Sequence, residues 1–239
     1  MDNYFATTMQ PQKKKADVFA MVVGAILALG FLLSTILSTV GFFMDLEYYI
    51  DCFKFEYGFN FEGLIDAIFN PTTSLFEIFG LFLLALYCGI ALIMKGKKLR
   101  AFFILGFVAL FLSYSWWVID ELAYLIRNAS WMFEYGAADV LYDVFWLLFY
   151  IFTGASAFMG IICGIFKKKA PSAVFGIIGA ILSVLALCSY ICARFYPMIM
   201  KFDWWGYDLV PFIVFTVATI VSLVSITGVF LFLRPTKKQ

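Results

Sequence analysis

Apolar residues in this chain come in long unbroken runs. They show neither the alternation of a half-buried strand nor the narrow stripe of a surface helix. Six runs reach the roughly 20 residues that an α-helix needs to cross a bilayer core. They are Asp17–Met44, Ser74–Met94, Arg100–Ile119, Asp143–Phe166, Ser172–Ala193 and Val210–Leu233. The pattern predicts an all-α, polytopic integral membrane protein with six transmembrane helices. Three lysines precede the first run, as in a secretion signal. That run is too long for a signal, however, and no small-x-small site followed by polar sequence ends it. It is expected to remain as the first span.

The polar connectors alternate in character. Lys13–Lys15, then Lys95, Lys97, Lys98 and Arg100, then Lys167–Lys169, then Arg234, Lys237 and Lys238 hold 13 of the 17 basic residues, and every second connector holds them. The opposite side has only Lys54, Arg127, Arg194 and Lys201. Lysine and arginine accumulate on the cytoplasmic side of membrane proteins, so both termini are expected there. All acids except Asp2 and Asp17 fall toward the other side, and so do all six tryptophans. An interfacial belt is the expected role for most of these tryptophans.

One stretch is nearly written twice. KKKADVFAMVVGAILALG at Lys13–Gly30 matches KKKAPSAVFGIIGAILSV at Lys167–Val184, and Leu32, Ser34 and Ile36 continue into Leu187, Ser189 and Ile191. The expected organisation is a single membrane domain over 1–239. A polar tail at 1–12 precedes three tandem hairpins at about 13–94, 95–166 and 167–239. Such repeats have parallel topology, related by an axis along the membrane normal.

Small residues recur at intervals of four. Ala16, Ala20, Gly24 and Ala28 do so on the first span, Ser156, Gly160 and Gly164 on the fourth, and Ser172, Gly176 and Ala180 on the fifth. This spacing places each set on one helix face and lets backbones approach closely. They are the expected helix-packing faces, or docking faces for partner helices. Bulky residues such as Phe42, Phe43, Tyr114, Trp116, Trp146 and Tyr190 occupy the outer half instead. A bundle tight at its cytoplasmic end and splayed or aromatic-filled at its outer end follows.

The outer connectors are long and rather apolar. FEGLIDAIF, with Asn60 before it and Pro71 after it, predicts a short separate amphipathic helix at the outer surface. DELAYLIRNASWMFEYGAADVLYD is expected to extend the third and fourth spans as helix. RFYPMIMKFDWWGYD is expected to turn near Pro197 and again near Gly206. Asn128-Ala129-Ser130 fits a glycosylation sequon on the non-cytoplasmic side, and a Cys52–Cys192 bridge is conceivable on an oxidising face.

Composition agrees with a membrane chain: 64% of the residues are hydrophobic and 14% charged, against about 45–50% and about 25% in soluble domains. A net charge of +1 without a basic tail leaves nucleic-acid binding no electrostatic footprint. The chain has no histidine, no CxxC, no HExxH and no glycine-rich phosphate loop. No catalytic residue, metal ligand or cofactor is therefore expected. Asp120, Glu121, Asp139 and Asp143 form an acidic outer cluster with oxygen ligands suited to Ca²⁺, but their spacing is unlike an EF-hand loop, and they read as a solvated face. Glu77 comes nearest to a mid-membrane charge, a few residues inside the second span. It reads as solvated at the interface, or else as binding a cation or pairing with Arg127 or Arg194.

Two functions from different classes follow. The first is a non-catalytic accessory or scaffold subunit whose partners are the lipid bilayer and other membrane proteins. The second is a small-solute transport component that takes an apolar or aromatic ligand from the outer side, with Glu77, Trp116, Trp146 and Tyr190 as its candidate contacts. In helix count and in its small-xxx-small first span the chain resembles the substrate-binding subunits of energy-coupling-factor vitamin transporters. That resemblance implies outer-side solute binding. Abundant Phe, Ile, Lys and Tyr without His suits an AT-rich bacterium, so a bacterial plasma membrane is the expected location.

Overall fold

A computed structural model describes residues 10–47, 49–50, 61–91, 99–132, 137–166, 169–201 and 209–233. Among these the chain is all-helical, with six helices long and apolar enough to cross a membrane. They are α1 (Gln10–Met44), α2 (Phe61–Ala91), α3 (Leu99–Met132), α4 (Ala137–Ile165), α5 (Lys169–Lys201) and α6 (Leu209–Gly228). The last runs on into a π-helical turn, Val229–Leu233. Expected and observed spans agree.

Each helix packs on its neighbours in sequence, and α1 closes the ring on α6. The side-chain pairs show that neighbours are antiparallel. Between α2 and α3, Phe69 stacks on Trp116 while Tyr87 meets Phe103. Between α4 and α5, Trp146 meets Tyr190 while Cys163 reaches Ser172. Between α1 and α6, Phe19 meets Phe232 in the π turn at one end, and Gly41 faces Phe215 toward the other. The beginning of α1 and the end of the π turn therefore share one end of an up-and-down bundle. Lysines flank the helices at that end and carboxylates cluster at the opposite one, so they are called here the basic and acidic ends.

Both prolines expected to break helices sit inside them. The helix that begins at Phe61 does not stop before Pro71 but continues into the second span as one element. Proline removes one backbone donor, and hydroxyls just after it bond back onto nearby carbonyls. Thr72 Oγ1 donates to the Ile68 carbonyl at 2.6 Å, and Thr73 Oγ1 and Ser74 Oγ donate to that of Asn70 at 2.9 and 3.1 Å. The carbonyl that Pro71 leaves without a helical donor is that of Ala67, so these hydroxyls brace the adjoining turn rather than replace the lost bond. Likewise α5 passes through Pro197 without the expected turn and ends at Lys201. The turn expected near Gly206 lies outside the described residues. The expected extension of α3 and α4 past the bilayer core is present.

The core of the basic half is aromatic and closed. Phe31 of α1, Leu84 of α2, Phe103 and Phe107 of α3 and Phe230 of the π turn are all fully buried. Phe103 lies 4.8 Å from Phe107, and Phe107 lies 5.2 Å from Phe230, so the rings form a continuous column across the bundle. The π turn sets this up, because the Tyr87 hydroxyl donates to the Leu233 carbonyl and anchors the end of that turn against α2.

Small residues make the approach possible. A methyl group on Gly80 would lie 2.9 Å from the Gly106 carbonyl oxygen, and one on Gly106 would lie 3.1 Å from the Gly80 carbonyl oxygen. At this α2–α3 crossing the two backbones touch, which only glycine permits. The faces on α4 and α5 behave as the four-residue spacing indicated. Ser156 Oγ donates to the Gly179 carbonyl at 3.0 Å, Gly160 faces the Phe107 ring, and Gly164 faces Ile104 and Phe103. Ser172, Gly176 and Ala180 are buried. The face on α1 is used only in part: Gly24 is buried and Ala28 partly so, but Ala20 is exposed, and the side chain of Ala16 lies outside the description. The buried face of α1 runs instead through Leu27, Phe31 and Ser34, with Leu27 seated against Gly228.

Candidate functional site

A helix of 34 residues is about 50 Å long, whereas the bilayer core is about 30 Å thick. Counted from Leu99, the core thickness is used up near Ile119. The rest of α3 stands at the acidic end, where water and headgroups are available. Along it Asp120, Tyr124, Arg127 and Asn128 recur at helical spacing, with Glu121 beside them. On α4, Tyr142, Trp146 and Tyr150 recur every four residues and so share a face. These two faces, with Asn70 of α2, line an open cavity of about 660 Å³.

The aromatic wall is braced from behind. Trp146 stacks on Tyr150 at 5.8 Å, and Tyr150 stacks on Trp117 at 5.9 Å. Tyr142 meets Trp146 edge-on at 6.3 Å. Beneath them lies a buried layer of Tyr114, Phe149 and Tyr190, in which Phe149 touches both tyrosines. The outer core is thus aromatic-filled, and the cavity sits on top of the filling rather than running through it.

Of the four contacts expected from sequence, only Trp146 lines the cavity. Tyr190 is 2% exposed and meets Trp146 edge-on at 5.7 Å, so it backs the wall. Trp116 stacks on Phe69 at 4.1 Å and donates from Nε1 to Asn70 Oδ1 at 3.3 Å, which fixes the α2 side of the rim. Glu77 is only partly exposed and meets the Tyr114 hydroxyl, an alternative to the solvation or arginine pairing expected for it. Arg194 is engaged elsewhere: its guanidinium lies 4.3 Å from the Phe212 ring centre and its Nε is 3.3 Å from Thr216 Oγ1. The three tryptophans with described side chains, Trp116, Trp117 and Trp146, are partly exposed and built into these stacks.

Beyond the end of α1 a second polar group adjoins the α2 side. Tyr49 is buried, with its hydroxyl 3.4 Å from Ser74 Oγ. Burial pushes the Tyr49 phenol above its ordinary range, the Ser74 hydrogen bond works the other way, and the nearby Asp45 and Glu77 carboxylates add to the rise. Burial also raises the Asp45 carboxyl.

Sequence reasoning named Asp120, Glu121 and Asp143 only as a solvated acidic face and did not single out Asn70, Tyr124, Tyr142 or Tyr150. The aromatic and polar stripes carried the signal, since both have the four-residue period that was followed only for small residues. No group of three or more metal-binding side chains converges among the described residues, and the side chain of Asp139 lies outside them. Cys192 is a free thiol, and Cys52 lies outside the described residues. Asn128 Nδ2 donates to the Tyr124 carbonyl at 3.0 Å within α3. No protein-family model, curated protein or solved structure matches the chain.

Proposed function

We propose that this protein is a non-catalytic accessory or scaffold subunit of a membrane complex, with both termini on the cytoplasmic side of a bacterial plasma membrane. The observation that carries this reading is the closed basic half, where Phe31, Phe103, Phe107 and Phe230 fill the centre of the ring. A carrier alternates access through its interior and places its site at the interface between repeats near the midplane. A column of interlocked rings offers no such path. The duplicated stretch supports an origin in repeated hairpins: Gly24 and Gly179 are both buried, as are Ser34 and Ser189, while Ile26 and Ile181 are both exposed.

Mild-detergent purification of the tagged chain from its native membrane, read by mass spectrometry, tests the reading. A stoichiometric membrane partner is expected. Solute uptake by the purified chain alone in vesicles would overturn it.

The cavity favours a second reading, in which the subunit presents a solute-binding site on the outer side. Its volume lies within the roughly 300–1,000 Å³ of small-molecule sites.

A further inference from the structure

We propose that the acidic-end cavity binds an organic cation, an amine or quaternary ammonium with an apolar body, held between the aromatic wall of α4 and the carboxylates above it. The inference rests on the reading that this cavity binds a solute, and adds the chemical class.

Charge comes first. Asp120, Glu121 and Asp143 line the cavity with Arg127, three carboxyl groups to one guanidinium. A concave site of one sign focuses its field and concentrates ligands of the opposite sign. By the count from Leu99, Asp120 and Glu121 stand just past the bilayer core, where screening is weaker than in open water.

The walls then distinguish an organic cation from a metal ion. Tyr142, Trp146 and Tyr150 line the cavity in one stripe, and tryptophan is the strongest side-chain partner for a cation over its ring. The stacks with Trp117 and the contact with Tyr190 hold Trp146 and Tyr150 in place, so little ordering is left for the ligand to supply. The carboxylates do not converge as a metal site requires, and the volume far exceeds that of one ion. Aromatic walls beneath an acidic rim match a ligand with a cationic head and an apolar body.

Calorimetric titration of the intact chain in lipid nanodiscs tests this with two probes of the same shape, benzyltrimethylammonium and its uncharged carbon analogue neopentylbenzene. The cation is expected to bind saturably and about tenfold more tightly than the neutral analogue. In a double variant, Glu121→Gln with Asp143→Asn, that preference is expected to vanish. The variant's unfolding temperature and elution volume serve as the folding check. Glu47→Gln, which removes an exposed carboxylate outside the cavity lining, is expected to leave the preference intact. Equal binding of both probes, unchanged in the double variant, would overturn the cationic class while leaving a solute site standing. Absence of saturable binding by either probe would overturn the class and the solute-site reading together.

Discussion

The two ends of this bundle are built from the same aromatic material and put it to opposite use. At the basic end, phenylalanines interlock across the centre, and glycines let the helices close around them. At the acidic end, tyrosine and tryptophan form a layer whose upper surface remains open beneath carboxylates. The difference lies in the polar atom. A phenylalanine ring can be enclosed on every side, whereas a phenol or indole needs a partner and is favoured where one edge is wet. Closure and openness in a membrane bundle are thus set by ring chemistry and helix overhang, without a gap in the helix ring.

The largest effect is expected from Phe230→Ala, which empties the centre of the closed half. Because the side chain's reference environment is lipid rather than water, the loss should fall at the low end for such a truncation, about 3 kcal/mol. Chemical unfolding in detergent followed by tryptophan fluorescence reads it.

Gly80→Ala should come next. Helix propensity favours alanine by up to about 1 kcal/mol, but the methyl meets a backbone oxygen that cannot move aside, an overlap costing about 1–3 kcal/mol. A net loss of about 1 kcal/mol is expected by the same measurement, and a gain would mean that α2 and α3 cross less closely.

Trp146→Ala should show the contrast from the other side. The residue forms a wall of an open cavity and is only partly buried, so its removal should destabilise the fold less than Phe230→Ala does, through lost ring contacts. Organic-cation binding should weaken far more visibly. If Trp146→Ala unfolded the protein as readily as Phe230→Ala, the two ends would not differ as described.

The smallest effect concerns Asp45. A carboxyl raised above its ordinary value by burial is held more readily when protonated, so the native state binds more protons than the unfolded chain between the two pKa values. Stability should therefore fall as pH rises from about 4 through the raised value and stay lower at neutral pH. Asp45→Asn should remove that slope and leave the protein slightly more stable at pH 7. Thermal unfolding at several pH values checks both.

Much of the fold was legible because membrane spans are read from runs of apolar residues, and long runs leave little ambiguity. Small-residue faces on α4 and α5 were also readable, since spacing alone places Gly160 and Ser172 on packing surfaces. Pro71 and Pro197 misled, because each removes one helical hydrogen bond while the rest of a long apolar helix persists around it. The Gly80–Gly106 contact was invisible for another reason: neither glycine belongs to a four-residue series of small residues, and only the register between α2 and α3 brings them together. The cavity was half-visible. Trp146 and the acids were named, but the overhang of α3 that lifts Asp120 and Glu121 above the aromatic layer depends on helix length, not on composition.

The most direct test of the contrast uses cysteines already present. Cys88 and Cys163 are fully buried in the basic half, whereas Tyr124 lines the acidic cavity. In a chain carrying Cys52→Ser, Cys188→Ser and Cys192→Ser, reaction with a water-soluble maleimide should be undetectable until the protein is unfolded. Adding Tyr124→Cys should give rapid labelling of the native protein. Labelling of Cys88 or Cys163 in the folded chain at a comparable rate would show that water reaches the basic half, and would contradict the closed core.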